Sequence, residues 1–89
     1  MKAVITVTGK DSVGIIAKVA TACAENGANI VDISQSVLKD YFAMIMLADI
    51  DSLSVEFSEF VDKLAALGKG TNLDIHAMHE DIFNTMHHI

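Results

Sequence analysis

The sequence predicts an α+β fold in which four strands form one antiparallel sheet and two helices cover a single face of it. Apolar and polar residues alternate in four short segments, which is typical of half-buried strands. Between the first two segments and between the last two, apolar residues recur at three- and four-residue spacing, which is typical of amphipathic helices. A further amphipathic stretch predicts a short C-terminal helix.

The first half of the chain is predicted to form a strand, a helix and a second strand. Residues 2–8 alternate as a strand, and residues 29–38 alternate again after the helix. Asp11 or Ser12 can cap the amino end of the helix, and Gly27 can end it in the left-handed conformation. The apolar face of the helix consists of Ile16, Val19, Ala20 and Cys23.

The second half is predicted to complete a βαββαβ order. A short turn at residues 39–40 leads into a third strand over 42–50, which we expect to pair with the second strand. Asp51 or Ser52 can cap the next helix, and Gly68 and Gly70 are expected to end it. Alternation over 72–77 predicts the fourth strand. The apolar stripe of the second helix consists of Leu53, Phe57, Phe60, Val61, Leu64 and Leu67.

Right-handed crossovers then give the ferredoxin-like arrangement, a four-stranded antiparallel sheet with two helices on one face. We assign residues 1–78 to this unit and residues 79–89 to an amphipathic helical tail of the same domain. An isolated helix of that length is marginal in water, so we expect the tail to dock on the sheet or on a second subunit. Its apolar residues are Ile82, Phe83, Met86 and Ile89.

The third strand is apolar on both of its faces, which predicts an interface. We assign Ala43, Ile45 and Leu47 to the helix-covered face. The open face then carries the remaining apolar residues of the strand, which are Phe42, Met44, Met46 and Ala48. A second copy of the chain could bury such a patch, so we predict a homodimer with Phe42, Met44 and Met46 at its interface. Burial by the chain's own tail and a merely apolar surface are the alternatives.

Composition excludes several classes of partner. The net charge is −6, and every positive side chain is a lysine, so the clustered arginines that nucleic-acid binding favours are absent. No apolar run approaches the length of a membrane span, and the first residues lack the pattern of a secretory signal. We therefore expect no nucleic acid and no membrane as partners, and a cytoplasmic location. The single cysteine, Cys23, is expected to be a buried core thiol.

Catalytic and metal-binding constellations are also missing from the sequence. It contains no Gly-x-Ser-x-Gly elbow and no His-Glu-x-x-His pair, so we expect no enzymatic activity and no cofactor. Asp49 and Asp51 are better explained by capping and solubility than by acid–base work. The histidines His76, His79, His87 and His88 are too dispersed to converge on one metal ion.

The most informative segment joins the first strand to the first helix. It reads Thr-Gly-Lys-Asp-Ser-Val-Gly-Ile over residues 8–15, and Asn-Gly-Ala-Asn-Ile follows the helix over 26–30. The first amides of a helix lack intrahelical partners and lie at the positive end of its dipole, which favours an anion such as a carboxylate. Together with the βαββαβ order, these two motifs resemble the ACT domain, and in particular its stand-alone bacterial members with a short helical tail.

The resemblance implies a regulatory module that binds an amino acid between two subunits. The first turn of one subunit and the start of the second strand of the other hold the ligand in such proteins. Asp11 could accept from the ligand ammonium, the backbone near Gly14 could donate to its carboxylate, and Asn29 could do both. The matching positions, with the turn residues beside them, are Asp11, Ser12, Val13, Gly14, Ile15, Asn29 and Ile30.

Two points leave an alternative open. Asp11 and Asn29 could serve the helix cap and the following turn alone, and Val13 stands where many family members have proline. The sequence therefore supports a homodimeric binding module for an amino acid or similar zwitterion, acting on an unknown regulated protein. The alternative is a protein–protein interaction module without a small-molecule ligand.

Overall fold

A computed structural model describes residues 1–10 and 14–86 of the chain. Four strands form one sheet in the order β2-β3-β1-β4, and every neighbouring pair is antiparallel. This topology confirms the predicted ferredoxin-like fold, including its short C-terminal helix. The elements are β1 (Lys2–Gly9), α1 (Ile15–Glu25), β2 (Asn29–Leu38), β3 (Tyr41–Asp49), α2 (Phe57–Thr71), β4 (Asp74–His79) and α3 (Glu80–Met86).

The core lies between one face of the sheet and the two long helices. Strand β1 contributes Ala3, Ile5 and Val7, all fully buried, while α1 packs over β2 and α2 packs over β4. Cys23 is buried in this core, as predicted, and desolvation raises the pKa of its thiol to about 11. None of the helices in the described residues has the length and apolar character needed to cross a bilayer.

The two faces of β3 are the reverse of the prediction. Phe42, Met44 and Met46 are buried in the chain's own core, whereas Ala43 and Ile45 lie exposed on the open face. The prediction that Phe42, Met44 and Met46 form a dimer interface is therefore wrong. Because β3 is apolar on both faces, its residue pattern does not determine which face joins the core. A shift of one residue in strand pairing would exchange the buried and the exposed face. Pairing with β1 determines which face is buried, because Met44 and Met46 lie opposite the core residues Val7 and Ile5.

Both ends of α2 also differ from the prediction. The helix starts at Phe57, and the Asp51 carboxylate pairs with the Met1 ammonium instead of capping it. Gly68 lies inside the helix, and glycine is needed there because a Cβ would come within 2.5 Å of the Leu73 carbonyl oxygen. Gly70 is helical too, the helix ends at Thr71, and its C-cap Asn72 adopts the left-handed conformation with φ 58°.

Helix α3 folds back against β1 and β4. Val4 lies on the face of β1 opposite to the core residues, yet only 4% of it is exposed. Since α1 and α2 cover the other face of the sheet, we infer that α3, which contacts β1, covers Val4. The open face is thus covered at one end and bare around Ile45, which is 45% exposed.

Candidate functional site

The predicted ligand turn lies only partly within the described residues. Asp11, Ser12 and Val13 fall outside them. Gly14 is the N-cap of α1, adopts a left-handed φ of 72° and makes no side-chain capping bond, because glycine has no side chain to offer. Among the described residues, apart from its neighbours in the chain, no atom lies within 4 Å of where its Cβ would be. Within that part of the chain, the space beside Gly14 is open.

The other predicted contact residues divide into accessible and buried groups. Asn29 is exposed at the first position of β2, and Ile30 beside it is half-buried against the core. The Ile15 side chain is 1% exposed and packs in the core. Ile15 can therefore offer a ligand only its backbone amide, whereas Asn29 can offer its side-chain amide.

The fold does not bring the turn and the start of β2 together within one chain. Asn29 pairs with Asp49, which pairs with Lys2 at the beginning of β1. The turn follows Gly9 at the other end of the same strand. Seven residue steps at the usual strand rise separate the two ends by about 23 Å, which is several times the length of an amino-acid head group.

The end of α1 next to β2 is held by Asn26, a polar residue only 7% exposed. Its Nδ2 donates to the Ala22 carbonyl oxygen at 2.7 Å, and its Oδ1 accepts from Lys63 Nζ at 3.4 Å. Gly27 follows with a left-handed φ of 81°, as predicted for a helix stop, and a Cβ there would strike the Ser52 backbone. Asn26 and Gly27 therefore stabilise the end of α1 and determine where β2 begins.

A depression of about 840 Å³ lies between α1 and α2. Its lining includes the small side chains of Ala17, Thr21 and Ala66, and also Lys63, whose Nζ lies 3.8 Å from the Glu59 carboxylate. Asn26 also lines it, but its amide is already bonded within the chain. Sequence analysis did not predict this depression, because its lining comes from two helices distant in sequence.

The two histidines in the described part of the chain, His76 and His79, do not form part of a metal-binding cluster. His76 is exposed on the open face opposite Thr6, while His79 pairs with Ala3 and its ring stacks on Phe57 with centroids 4.1 Å apart. His79 Nδ1 is buried without a hydrogen-bond partner in the described part of the chain. His87 and His88 lie outside the described residues. Within residues 1–10 and 14–86, no three His, Cys, Asp or Glu side chains come close enough to hold a metal ion.

At the amino terminus, a hydrogen bond to the Asp51 carboxylate raises the pKa of the Met1 ammonium above its usual value. Asp49 in turn accepts a hydrogen bond from the Asp51 backbone at 2.9 Å. These carboxylates therefore tie the loop after β3 to the start of β1. The sequence argument explained Asp49 and Asp51 by capping and solubility, whereas the structure pairs the Asp51 carboxylate with the amino terminus.

Near the turn predicted to bind the ligand, the structure shows a pair of side chains that sequence analysis missed. The Lys10 ammonium lies over the Tyr41 ring, 5.6 Å from its centroid. The pair becomes visible only through the register of β1 and β3, in which Gly9 lies opposite Phe42. Alternation within either strand contains no signal for it.

Comparison with known proteins agrees with the fold. A family model described as "ACT domain" matches residues 2–78. A UPF0237 protein of Listeria monocytogenes is 47% identical over 98% of each chain, and one of Methanococcus maripaludis is 49% identical over 97% of this chain and 96% of its own. The structure of an ACT domain protein from Streptococcus pneumoniae superposes with a TM-score of 0.81 at 42% identity, covering 93% of each chain. None of these matches indicates a catalytic family.

Proposed function

The chain belongs to the ACT domain family, whose members are typically small-ligand regulatory modules, and from that premise we propose that it senses an amino acid. In this proposal the protein is not an enzyme. It binds an amino acid or a similar small zwitterion between two copies of the chain, and binding changes its contacts with a separate regulated protein. The same proposal retains the cytoplasm as its place of action.

The proposal rests on the distance between the two predicted contact regions, which are the turn before α1 and the start of β2. One zwitterion cannot touch both the turn before α1 and Asn29 of the same chain, since about 23 Å of strand lies between them. Strand β2 runs in the same direction as β1, because each is antiparallel to β3. An antiparallel approach of two β2 strands would therefore bring Asn29 of the partner subunit to the end of the sheet that carries the turn.

Strand β2 has the properties that such an approach needs. It is an edge strand of ten residues, and residues 33–38 contain no charge and no proline, so its outer backbone groups are not protected against pairing. Four large apolar side chains are exposed on this strand or on the helix above it. They are Ile16 at 39%, Val31 at 51%, Ile33 at 40% and Val37 at 67%. A symmetric partner would bury them.

The proposed chemistry uses groups on both subunits. Gly14, the N-cap of α1, offers the first amides of the helix no side-chain cap of its own, and we propose that a ligand carboxylate accepts from them at the positive end of the helix. Asp11 is proposed to bind the ligand ammonium, and Asn29 of the partner subunit to hold the ligand from the opposite side. Ile15 contributes its amide alone, since its side chain is buried.

The test is thermal unfolding of the protein with each common amino acid in turn. A ligand at 100 times its dissociation constant stabilises the folded state by about 2.7 kcal/mol, which is a readily measured rise in Tm. We expect one amino acid, or a few related ones, to produce that rise. Asn29→Ala should abolish it, whereas Asn84→Ala, an exposed change of the same kind on α3, should preserve it.

Flat melting curves with every amino acid would contradict amino-acid sensing. They would favour a protein–protein interaction module, in which the turn only starts a helix and the apolar β2 edge docks another protein. A rise in Tm that survives Asn29→Ala would contradict the proposed site while leaving amino-acid binding intact.

A further inference from the structure

We propose that the open face of the sheet carries a second small-molecule site, formed by one chain alone, for a small aromatic carboxylate. The site centres on a depression of about 350 Å³ at the end of the sheet near Lys10. That volume lies at the lower end of the range for ligand pockets, about 300 to 1,000 Å³. The residues that line it are Thr8, Gly9, Ser36, Tyr41, Phe42 and Ala43.

The register of three strands builds a flat floor. Ala43 on β3 lies opposite Thr8 on β1 and opposite Ser36 on β2, so the three side chains form one row across the open face. The methyl group of Ala43 is the smallest side chain of its strand face. Tyr41 stands two residues before it on the same face, and Ile45 two residues after it. The result is a shallow apolar basin between two taller side chains.

The rim of the basin carries three hydroxyl groups. Among the described residues, the hydroxyl groups of Thr8, Ser36 and Tyr41 have no hydrogen-bond partner. A ligand with oxygen atoms could therefore bond to them without breaking any bond within that part of the chain.

A cation is held at the same rim. The Lys10 ammonium lies over the Tyr41 ring and is not within ion-pair distance of any carboxylate of the described residues. Contact with the ring restrains this long side chain without neutralising its charge. A ligand carboxylate beside Tyr41 would then meet a positioned positive charge.

These features together select the class of ligand. A flat floor beside an aromatic ring suits a planar aromatic group, which can stack against Tyr41 in an offset or edge-to-face arrangement. The Lys10 ammonium suits a carboxylate, and the hydroxyl groups suit additional oxygen atoms on the ligand. The basin faces away from the helix layer, so the site does not depend on the proposed β2 dimer or on Asn29.

The first experiment follows backbone amide chemical shifts during titration with phenylacetate. We expect the largest changes at Thr8, Gly9, Ser36 and residues 41–43. Phenylacetamide removes the charge, and cyclohexylacetate keeps the charge but removes the planarity, so we expect both to bind more weakly. No shift with phenylacetate at millimolar concentration, or shifts confined to Asn29 and Ile30, would overturn this inference. The second outcome would still support the proposed amino-acid site.

Substitutions then locate the site. Ala43→Leu fills the exposed basin and should weaken phenylacetate binding at least about tenfold, whereas Ala66→Leu, the same change on the exposed side of α2, should leave it unchanged. Lys10→Met should weaken binding about threefold, as expected for a solvent-exposed ion pair. Equal affinity of Ala43→Leu and the unsubstituted protein would contradict the proposal, and so would equal affinity for phenylacetate and phenylacetamide.

Discussion

At the scale of single residues, two glycines of the same helix have opposite roles. Gly68 faces β4, where its missing Cβ leaves room for the Leu73 carbonyl oxygen and the Ile75 side chain. Gly70, two residues later, has no atom of another described segment within 4 Å of the corresponding position. Both glycines are helical, but they differ in packing. This difference determines whether an added methyl group stabilises or destabilises the protein.

Replacing each glycine with alanine tests this difference. Gly70→Ala should stabilise the protein by about 0.5 to 1 kcal/mol, because alanine favours the helix. Gly68→Ala should destabilise it by about 1 to 3 kcal/mol, since the methyl group must displace backbone. Urea unfolding of both variants measures the two changes, and changes of the same sign would contradict the packing of α2 on β4.

Cys23 predicts a dependence of stability on pH. Burial raises the pKa of its thiol from 9.0 to about 11, so between those pH values the unfolded chain has lost the proton that the folded chain keeps. Its contribution to the free energy of unfolding is therefore complete below pH 9 and declines as pH rises towards 11. Chemical denaturation across this range should give a shallower decline for Cys23→Ala, and identical slopes would contradict the assignment.

At the scale of elements, β3 shows how one strand's side chains depend on its neighbours. Apolar residues occupy both of its faces, and β1 determines which face joins the core. The open face keeps Ile45 exposed, while Met46 is completely buried. The methionines thus fill the interior of the chain, where their flexible side chains fit irregular space.

Two alanine substitutions on β3 distinguish these faces. Met46→Ala should cost about 2 to 5 kcal/mol, because it leaves a cavity in the core. Ile45→Ala should cost less than about 1.5 kcal/mol, since Ile45 is already partly in water. The free energies of unfolding measure both, and a larger loss for Ile45→Ala would favour the opposite assignment of the faces.

At the scale of the whole molecule, the βαββαβ connection places the two halves of the proposed amino-acid site at opposite ends of the sheet. The edge strand β2 and the apolar residues around it offer a way to unite them through a second copy. The open face, by contrast, carries the basin around Ala43 within one chain. Dimerisation and the second site can therefore be separated by experiment.

Val37→Lys should convert the proposed dimer to a monomer without unfolding it. The side chain is 67% exposed, so lysine is tolerated in the single chain, whereas a pair of β2 edges would bring like charges into an apolar contact. Sedimentation measures the oligomeric state. Ile45→Lys, on the open face, is the control and should leave the dimer intact. A sedimentation coefficient unaffected by Val37→Lys would place any dimer contact elsewhere.

Sequence by itself determined the order of elements, the fold class, the left-handed stop at Gly27 and the buried state of Cys23, because periodicity and turn chemistry act over a few neighbouring residues. Only the tertiary structure decided which face of β3 is buried, why Gly68 lies within a helix, and which residues surround Ala43. The tertiary structure also places Asn29 and the turn before α1 at opposite ends of the sheet, although the two regions were expected to contact one ligand from two subunits. Each of these depends on strand register or on close approach between distant segments, and a one-residue change in pairing alters them while leaving every local pattern the same.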